Sequence, residues 1–225
     1  MGEVSRALII EDHALIAHGL AVALEAEGIR TRITTGPTTE DVLSEARAFR
    51  PDVVLLDLQL DGEIGSGVPL IRPLVMLDAA VVVVTGVRDR VALGECLEAG
   101  ATALVSKSDP FDDLVELVLR VARGGRVRRP DQDELLDALR IHRKRSREQL
   151  APFERLTAKE SYVFGCLIDG LQADAIADVS CVSITTVRSQ IRSILQKLGV
   201  RSQLAAVAMA RDAGWTPAVA PSAVA

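Results

Sequence analysis

Short runs of Val, Leu, Ile and Ala alternate along the first half of the chain with longer stretches whose apolar residues recur every three or four positions. Ala7-Leu8-Ile9-Ile10 reads as a buried strand, and Leu15, Ile16, Leu20, Val22, Ala23 and Leu24 then follow at helical spacing up to Gly28, a helix stop. Arg30 to Thr34 alternates as a strand. Thr38 or Thr39 can cap a helix to Phe49 that turns Val42, Leu43 and Ala46 inward. Pro51 to Leu60 is a nearly continuous apolar run, interrupted by Asp57 and closed by the Gly-rich Asp61 to Gly67; it reads as a buried parallel strand and its exit loop. A helix around Val68 to Leu77 contains Pro69 and Pro73. Ala80 to Val84 is a fourth strand ending at Thr85-Gly86, and Arg88 to Ala99 is helical up to Gly100. Ala103 to Val105 is a fifth strand ending at Ser106-Lys107. Asp109-Pro110 opens a helix with Leu114, Leu117, Val118 and Val121 inward and Gly124-Gly125 beyond.

Apolar strands alternating with amphipathic helices define an α/β doubly wound, five-stranded parallel sheet over residues 1–125. In such a sheet the polar residues at the strand ends converge on one edge. Here they are Glu11 and Asp12 from the first strand, Asp57 from the third, Thr85 from the fourth and Lys107 from the fifth. Three adjacent carboxylates repel one another unless a hard cation lies among them, and oxygen donors of this kind suit Mg²⁺. Asp57 is then available as a nucleophile toward a phosphoryl group, with Lys107 and the metal neutralising charge and the Thr85 hydroxyl bonding an oxygen. Singly, each residue has an ordinary alternative: a turn-capping Asp, a capping Thr, a solvated Lys.

Residues 126–150 change in character and read as a helical linker. Arg126, Arg128 and Arg129 precede Pro130, acids open the helix at Asp131 to Glu134, and bases from Arg140 to Arg147 lie near its end, a polarity that suits the helix dipole. Leu135, Leu136 and Leu139 make a narrow apolar stripe, as on a solvated interdomain helix. A pairing or DNA-backbone role for His142-Arg143-Lys144-Arg145 is the alternative.

From residue 151 to 215 the periodicity is helical throughout. Thr157-Ala158-Lys159-Glu160 is a capping box opening a helix with Val163, Phe164, Leu167 and Ile168 inward up to Gly170. Ala173 to Val179 is a short helix with Ile176 inward. Ser183 caps a third helix through Leu198, ended by Gly199. It turns Val187, Ile191, Ile194, Leu195 and Leu198 to one side and Thr185, Arg188, Ser189, Arg192 and Gln196 to a neighbouring face. That face has two arginines one turn apart and no acid, as a major-groove reader would. A short helix, a tight turn and a capped longer helix make a helix-turn-helix. Ser202 to Ala213 is a fourth helix with Leu204, Ala205, Val207, Ala208 and Met209. Residues 216–225, rich in Ala, Pro and Val, are expected to be a disordered tail.

Charge sharpens this division. Residues 1–125 carry 11 Lys/Arg and 20 Asp/Glu, and residues 126–225 carry 15 and 11, so a net of −9 joins a net of +4 within an overall −5. An acidic cation site in the first half and a polyanion partner for the second follow. Aromatics are scarce, so Val, Leu, Ile and Ala must build the cores. No segment approaches the roughly 20 apolar residues of a membrane span. The N-terminal apolar run is too short, and lacks the basic flank, for a secretory signal, which implies the cytosol. Cys96, Cys166 and Cys181, odd in number and widely spaced, are expected to be buried reduced thiols.

Ile9-Ile10-Glu11-Asp12-His13, Pro51 to Asp57, Val84-Thr85-Gly86 and Gly100-Ala101 followed by Lys107 resemble the receiver domain of two-component response regulators. Leu156 to Glu160, Ala175-Ile176-Ala177, Val182 to Arg188 and Ile194 to Val200 resemble the LuxR-type helix-turn-helix, and the two together are similar to the NarL/FixJ group. The resemblance implies that Asp57 accepts phosphate from a sensor histidine kinase, with Lys107 and Thr85 sensing the phosphoryl group. It implies Mg²⁺ held by Glu11, Asp12, Asp57 and the backbone carbonyl of Gln59. On double-stranded DNA it places Arg188, Ser189 and Arg192 at base edges, with Thr186, Gln190 and Lys197 nearer the phosphates; Ser183 and Thr185, at the start of the same helix, are further candidate DNA contacts. It further implies a homodimer when phosphorylated, paired through the fourth helix on DNA, and a regulator with no enzymatic turnover.

Three residues of the receiver depart from the pattern: Glu11 where Asp is commoner, Asp61 in place of a usual Pro, and Leu104 at the position of an aromatic switch residue three before the lysine. In the second domain Gln190 replaces a frequent His and Ala175 a frequent Glu. Leu104 and Asp61 motivate an alternative, a DNA binder that works without phosphorylation. A third possibility, a metal-dependent aspartyl phosphatase, would need a second Asp where Gln59 stands.

Overall fold

The computed structural model describes residues 5–34, 36–125, 127 and 129–217. The chain divides into two compact units, residues 1–141 and 142–225.

The first unit contains five parallel strands in the order β2-β1-β3-β4-β5: β1 Arg6–Ile10, β2 Arg30–Ile33, β3 Val53–Leu56, β4 Ala80–Thr85 and β5 Ala103–Ser106. The helices between them are α1 Ala14–Ala26, α2 Thr39–Phe49, α3 Val68–Val75, α4 Arg90–Ala99 and α5 Phe111–Ala122. Strand side chains alternate between two cores, as a pleat requires. Leu8, Ile10, Val54, Leu56, Val81, Val83 and Leu104 face α2, α3 and α4. Ala7, Ile9, Val53, Leu55, Val82, Val84, Ala103 and Val105 face α1 and α5. Because both faces are covered, the strands read as unbroken apolar runs rather than alternating ones.

Local chemistry fixes the helix ends. Thr38 caps α2 by accepting from the Asp41 N–H, and Asp89 caps α4 by accepting from the Val91 N–H. Pro69 sits in the first turn of α3, where no N–H is needed, while Pro73 lies inside this short helix. In α1 the buried stripe is Ala17, Leu20, Ala21 and Leu24. Leu15 and Val22, part of the apolar pattern, point outward at 88% and 68% exposure, because they lie on the opposite side of the helix from that stripe.

The connector differs from the expected solvated helix. It forms α6, Gln132–Leu150, and Leu135 and Leu139 are buried. Leu135 belongs to the core on the α2–α4 side of the sheet. The first unit therefore extends to Ile141, past the boundary expected at residue 125. The apolar stripe is the physical reason, since it finds a partner surface on α4. Arg126, Arg128 and most of the expected tail, residues 218–225, lie outside the described residues.

The second unit contains a 3-10 turn Phe153–Arg155 and the helices α7 Ala158–Ile168, α8 Ala173–Val179, α9 Ile184–Leu198 and α10 Gln203–Asp212. Phe164, Ile176, Val187, Ile194 and Ala210 form its core, with Phe153, Phe164 and Trp215 in mutual ring contact. Leu167, Ile168 and Leu195 are half-buried. Cys96 and Cys166 are buried free thiols, and burial pushes Cys96 up to about 11. Cys181 is exposed, against expectation, because it lies in the turn between α8 and α9.

Candidate functional site

The strand order reverses between β1 and β3, and the crevice beyond the carboxyl ends of the strands is where an open α/β sheet places its chemistry. Asp57 follows β3 directly. Its N–H continues the ladder to the Ile10 carbonyl at 2.9 Å, and the residue is 2% exposed. Glu11 and Asp12 follow β1, Thr85 ends β4, and Lys107 follows β5 with its N–H on the Thr85 carbonyl at 3.0 Å. The sheet thus places all five polar residues at one edge, with Thr85 at the end of the strand next to Asp57.

Lys107 Nζ donates to Asp57 Oδ2 at 2.7 Å and to Glu11 Oε1 and Oε2 at 2.9 and 2.7 Å. Burial pulls the ammonium pKa down, but the hydrogen bonds to Asp57 and Glu11 outweigh it and hold it above the usual lysine value. Asp57 Oδ1 accepts from the Gln59 N–H at 3.2 Å. Asp12 Oδ2 accepts from the Asp61 N–H at 3.0 Å. For Asp12 burial raises the pKa, yet the Asp61 and His13 hydrogen bonds prevail and keep it below the usual carboxylate range. The Thr85 side chain is buried and accepts from the Val87 N–H at 3.1 Å.

The loop after Asp57 folds back on it. Gln59 bridges to Ser66, and the Gly67 N–H donates to the Leu58 carbonyl at 3.0 Å. A Cβ at Gly67 would fall 2.1 Å from the Asp57 carbonyl oxygen, so no other residue fits this return.

His13, to which the sequence alone assigns no role, joins the cluster. Its Nδ1 lies 2.9 Å from Glu11 Oε1 and 2.7 Å from Asp12 Oδ1, and hydrogen bonds to Glu11 and then Asp12 raise its pKa. Its place directly after the acid pair was the available signal. Donor atoms of Glu11, Asp12, His13 and Asp57 lie within 4.8 Å of one another. Three carboxylates make a hard oxygen donor set, which fits a divalent ion such as Mg²⁺.

In the second unit Ser183 caps α9 by accepting from the Thr186 N–H. Thr185, Thr186, Arg188, Ser189, Arg192 and Gln196 are exposed on this helix. Two residues expected near phosphates are more enclosed. Gln190 is half-buried, and Lys197 Nζ is bound to Glu160 Oε2 at 2.6 Å. Glu160 is a hub: it completes the capping box on the Thr157 N–H at 2.8 Å and accepts from Ser193 Oγ at 2.6 Å. Burial raises its pKa, but Lys197, Ser193 and Thr157 together lower it to about 2. The capping box was legible in sequence; its partners on α9 were not.

With fold and site in hand, the class is defined: this chain belongs to the response regulators, with a receiver domain and a LuxR-type DNA-binding domain. Residues 7–119 match the response regulator receiver domain, and residues 154–210 match the bacterial regulatory proteins of the luxR family. Among individual relatives, the transcriptional regulatory protein YdfI of Bacillus subtilis is 28% identical over 94% of this chain and 97% of its own. The response regulator VraR of Staphylococcus aureus is 25% identical over 90% and 94%. A structure of the RcsB response regulator of Salmonella typhimurium has the same fold, with a TM-score of 0.50 at 22% identity over 94% of this chain and all of that one. No helix among the described residues is long and apolar enough to cross a membrane.

Proposed function

We propose that this response regulator is phosphorylated on Asp57 by a sensor histidine kinase and that the modification promotes a homodimer able to bind double-stranded DNA. The observation that carries the reading is the meeting of Asp57, Glu11, Asp12 and Lys107 at the switch point of the sheet, drawn from three separate strands. An Asp57 carboxylate oxygen attacks the phosphorus of a phosphohistidine. A P–O bond forms, the P–N bond breaks, and the imidazole nitrogen departs and takes up a proton. Glu11, Asp12 and Asp57, with the Gln59 carbonyl, would hold Mg²⁺, which when bound neutralises the phosphoryl oxygens. Lys107 supplies a fixed positive charge beside the accepting oxygen, and the Thr85 hydroxyl stands at the end of the neighbouring strand to bond a phosphoryl oxygen.

Arg188, Ser189 and Arg192 are assigned to base edges, Ser183, Thr185, Thr186 and Gln190 to flanking contacts, and α10 to pairing of the DNA-bound protomers. This chemistry belongs in the cytosol, where a kinase and DNA are both at hand. It also makes Asp57 a switch rather than the nucleophile of a turnover enzyme. DNA affinity measured with and without beryllofluoride and Mg²⁺ tests the reading. Tighter binding with both is expected; equal affinity with the ligand bound would favour a regulator that works without phosphorylation, the reading suggested by Leu104.

A further inference from the structure

The start of the connector is seated on the β5 and α4 side of the first unit. Arg129 Nη1 donates to the Leu104 carbonyl at 3.0 Å, while its Nε and Nη2 hold the two Asp131 oxygens at 2.8 and 3.1 Å. The Asp131 carbonyl in turn receives the Leu135 N–H at 3.0 Å, so this pair fixes the first turn of α6. Leu135 and Leu139 are 2% and 1% exposed. Gly94 of α4 makes their seat: a Cβ there would lie 2.6 Å from the Leu135 carbonyl oxygen and 3.1 Å from Leu139 Cβ. One turn earlier on α4, Arg90 reaches Glu134 at 2.9 Å.

This seat touches the strand that leads directly into Lys107. β5 is an edge strand, and Arg129 caps one of its carbonyls. Leu104 pairs in register with Val83, and Ser106 with Thr85, so Arg129 and the Asp57 site hold opposite parts of one short strand. The ring that the family pattern places at position 104 is missing, and the Leu104 side chain is buried in the same core as Leu135.

We propose that Arg129 and the first turns of α6 are a latch that reports the state of Asp57 through the β5 backbone. The inference rests on Asp57 being the phosphoacceptor. A phosphoryl group there adds negative charge and three acceptor oxygens beside Lys107. Lys107 exchanges carboxylate for phosphoryl oxygen, and β5 moves with it. The Leu104 carbonyl leaves Arg129, and α6 loses its seat on Gly94. Since α6 runs unbroken to Leu150, unseating its first half releases the chain that enters the second unit.

Hydrogen exchange on the full chain tests this, with ¹⁹F NMR of bound beryllofluoride reporting occupancy in the presence of Mg²⁺. Amides of residues 132–141 are expected to exchange roughly tenfold faster in the bound state, the effect of losing one charge-assisted bond. Arg129→Met should produce the faster exchange without the ligand while retaining the bound ¹⁹F signal. Gly94→Ala should do the same from the α4 side. A bound signal with unaltered exchange at 132–141, or an Arg129→Met chain as protected as the parent, overturns the latch. No bound signal at saturating beryllofluoride overturns the phosphoacceptor reading, and the trigger with it.

Discussion

Lys107 Nζ donates to Asp57 Oδ2 at 2.7 Å across fifty residues of sequence. Both Asp57 and Glu11 have side chains at most 3% exposed, so this ammonium is the near counter-charge for two buried carboxylates. Removing it as Lys107→Ala leaves them facing each other in low dielectric. The variant should lose roughly 3–5 kcal/mol of stability, the cost of breaking a buried pair. Millimolar Mg²⁺ should restore part of it by mass action if the acids are a metal site. Urea unfolding with and without Mg²⁺ decides the matter; a variant insensitive to Mg²⁺ argues against the ion.

Asp57→Asn keeps the volume and the Gln59 N–H contact while removing the proposed nucleophile. The chain should keep its circular dichroism and lose labelling by acetyl phosphate. Labelling that persists moves the acceptor to another residue.

Arg188 and Arg192 are exposed one turn apart on α9. Alanine at either should weaken binding to the operator by roughly 1–3 kcal/mol and relax preference at the contacted base. Binding weakened equally on unrelated sequences would show that they grip phosphates. Because Lys197 is bound to Glu160, Lys197→Met should leave the salt dependence of binding nearly unchanged, whereas a phosphate contact would lower the slope by about one.

Glu160 titrates at about 2 in the folded chain against an ordinary 4.5. A depressed carboxylate stabilises the fold above its unfolded pKa, and that stability is lost as pH falls from 4.5 toward 2. The second unit should therefore unfold more readily across this window, and Glu160→Gln should flatten the dependence. Thermal unfolding at stepped pH, followed by Trp215 fluorescence, reads it directly.

The sheet and its edge were legible because a doubly covered strand must be apolar throughout, which leaves Asp57, Thr85 and Lys107 conspicuous where the runs end. Helix-turn-helix caps at Thr157 and Ser183 were equally visible, since a cap is a local hydrogen bond. Contacts between distant segments were not. Nothing near Lys197 in sequence shows that Glu160 receives it. Likewise, the stripe Leu135 and Leu139 declares an apolar face without naming α4 as its partner. His13 was overlooked because an exposed histidine has many uses and only its geometry reveals one.

Gly67 gives the loop after Asp57 an unusual kind of vulnerability. Alanine there would leave every acid and the lysine in place in the sequence, yet the added methyl would strike the carbonyl of Asp57 itself. The return of the loop would have to open, and Asp57 would shift against Lys107 although both side chains are unchanged. A defect of that sort is invisible in any inventory of charged residues.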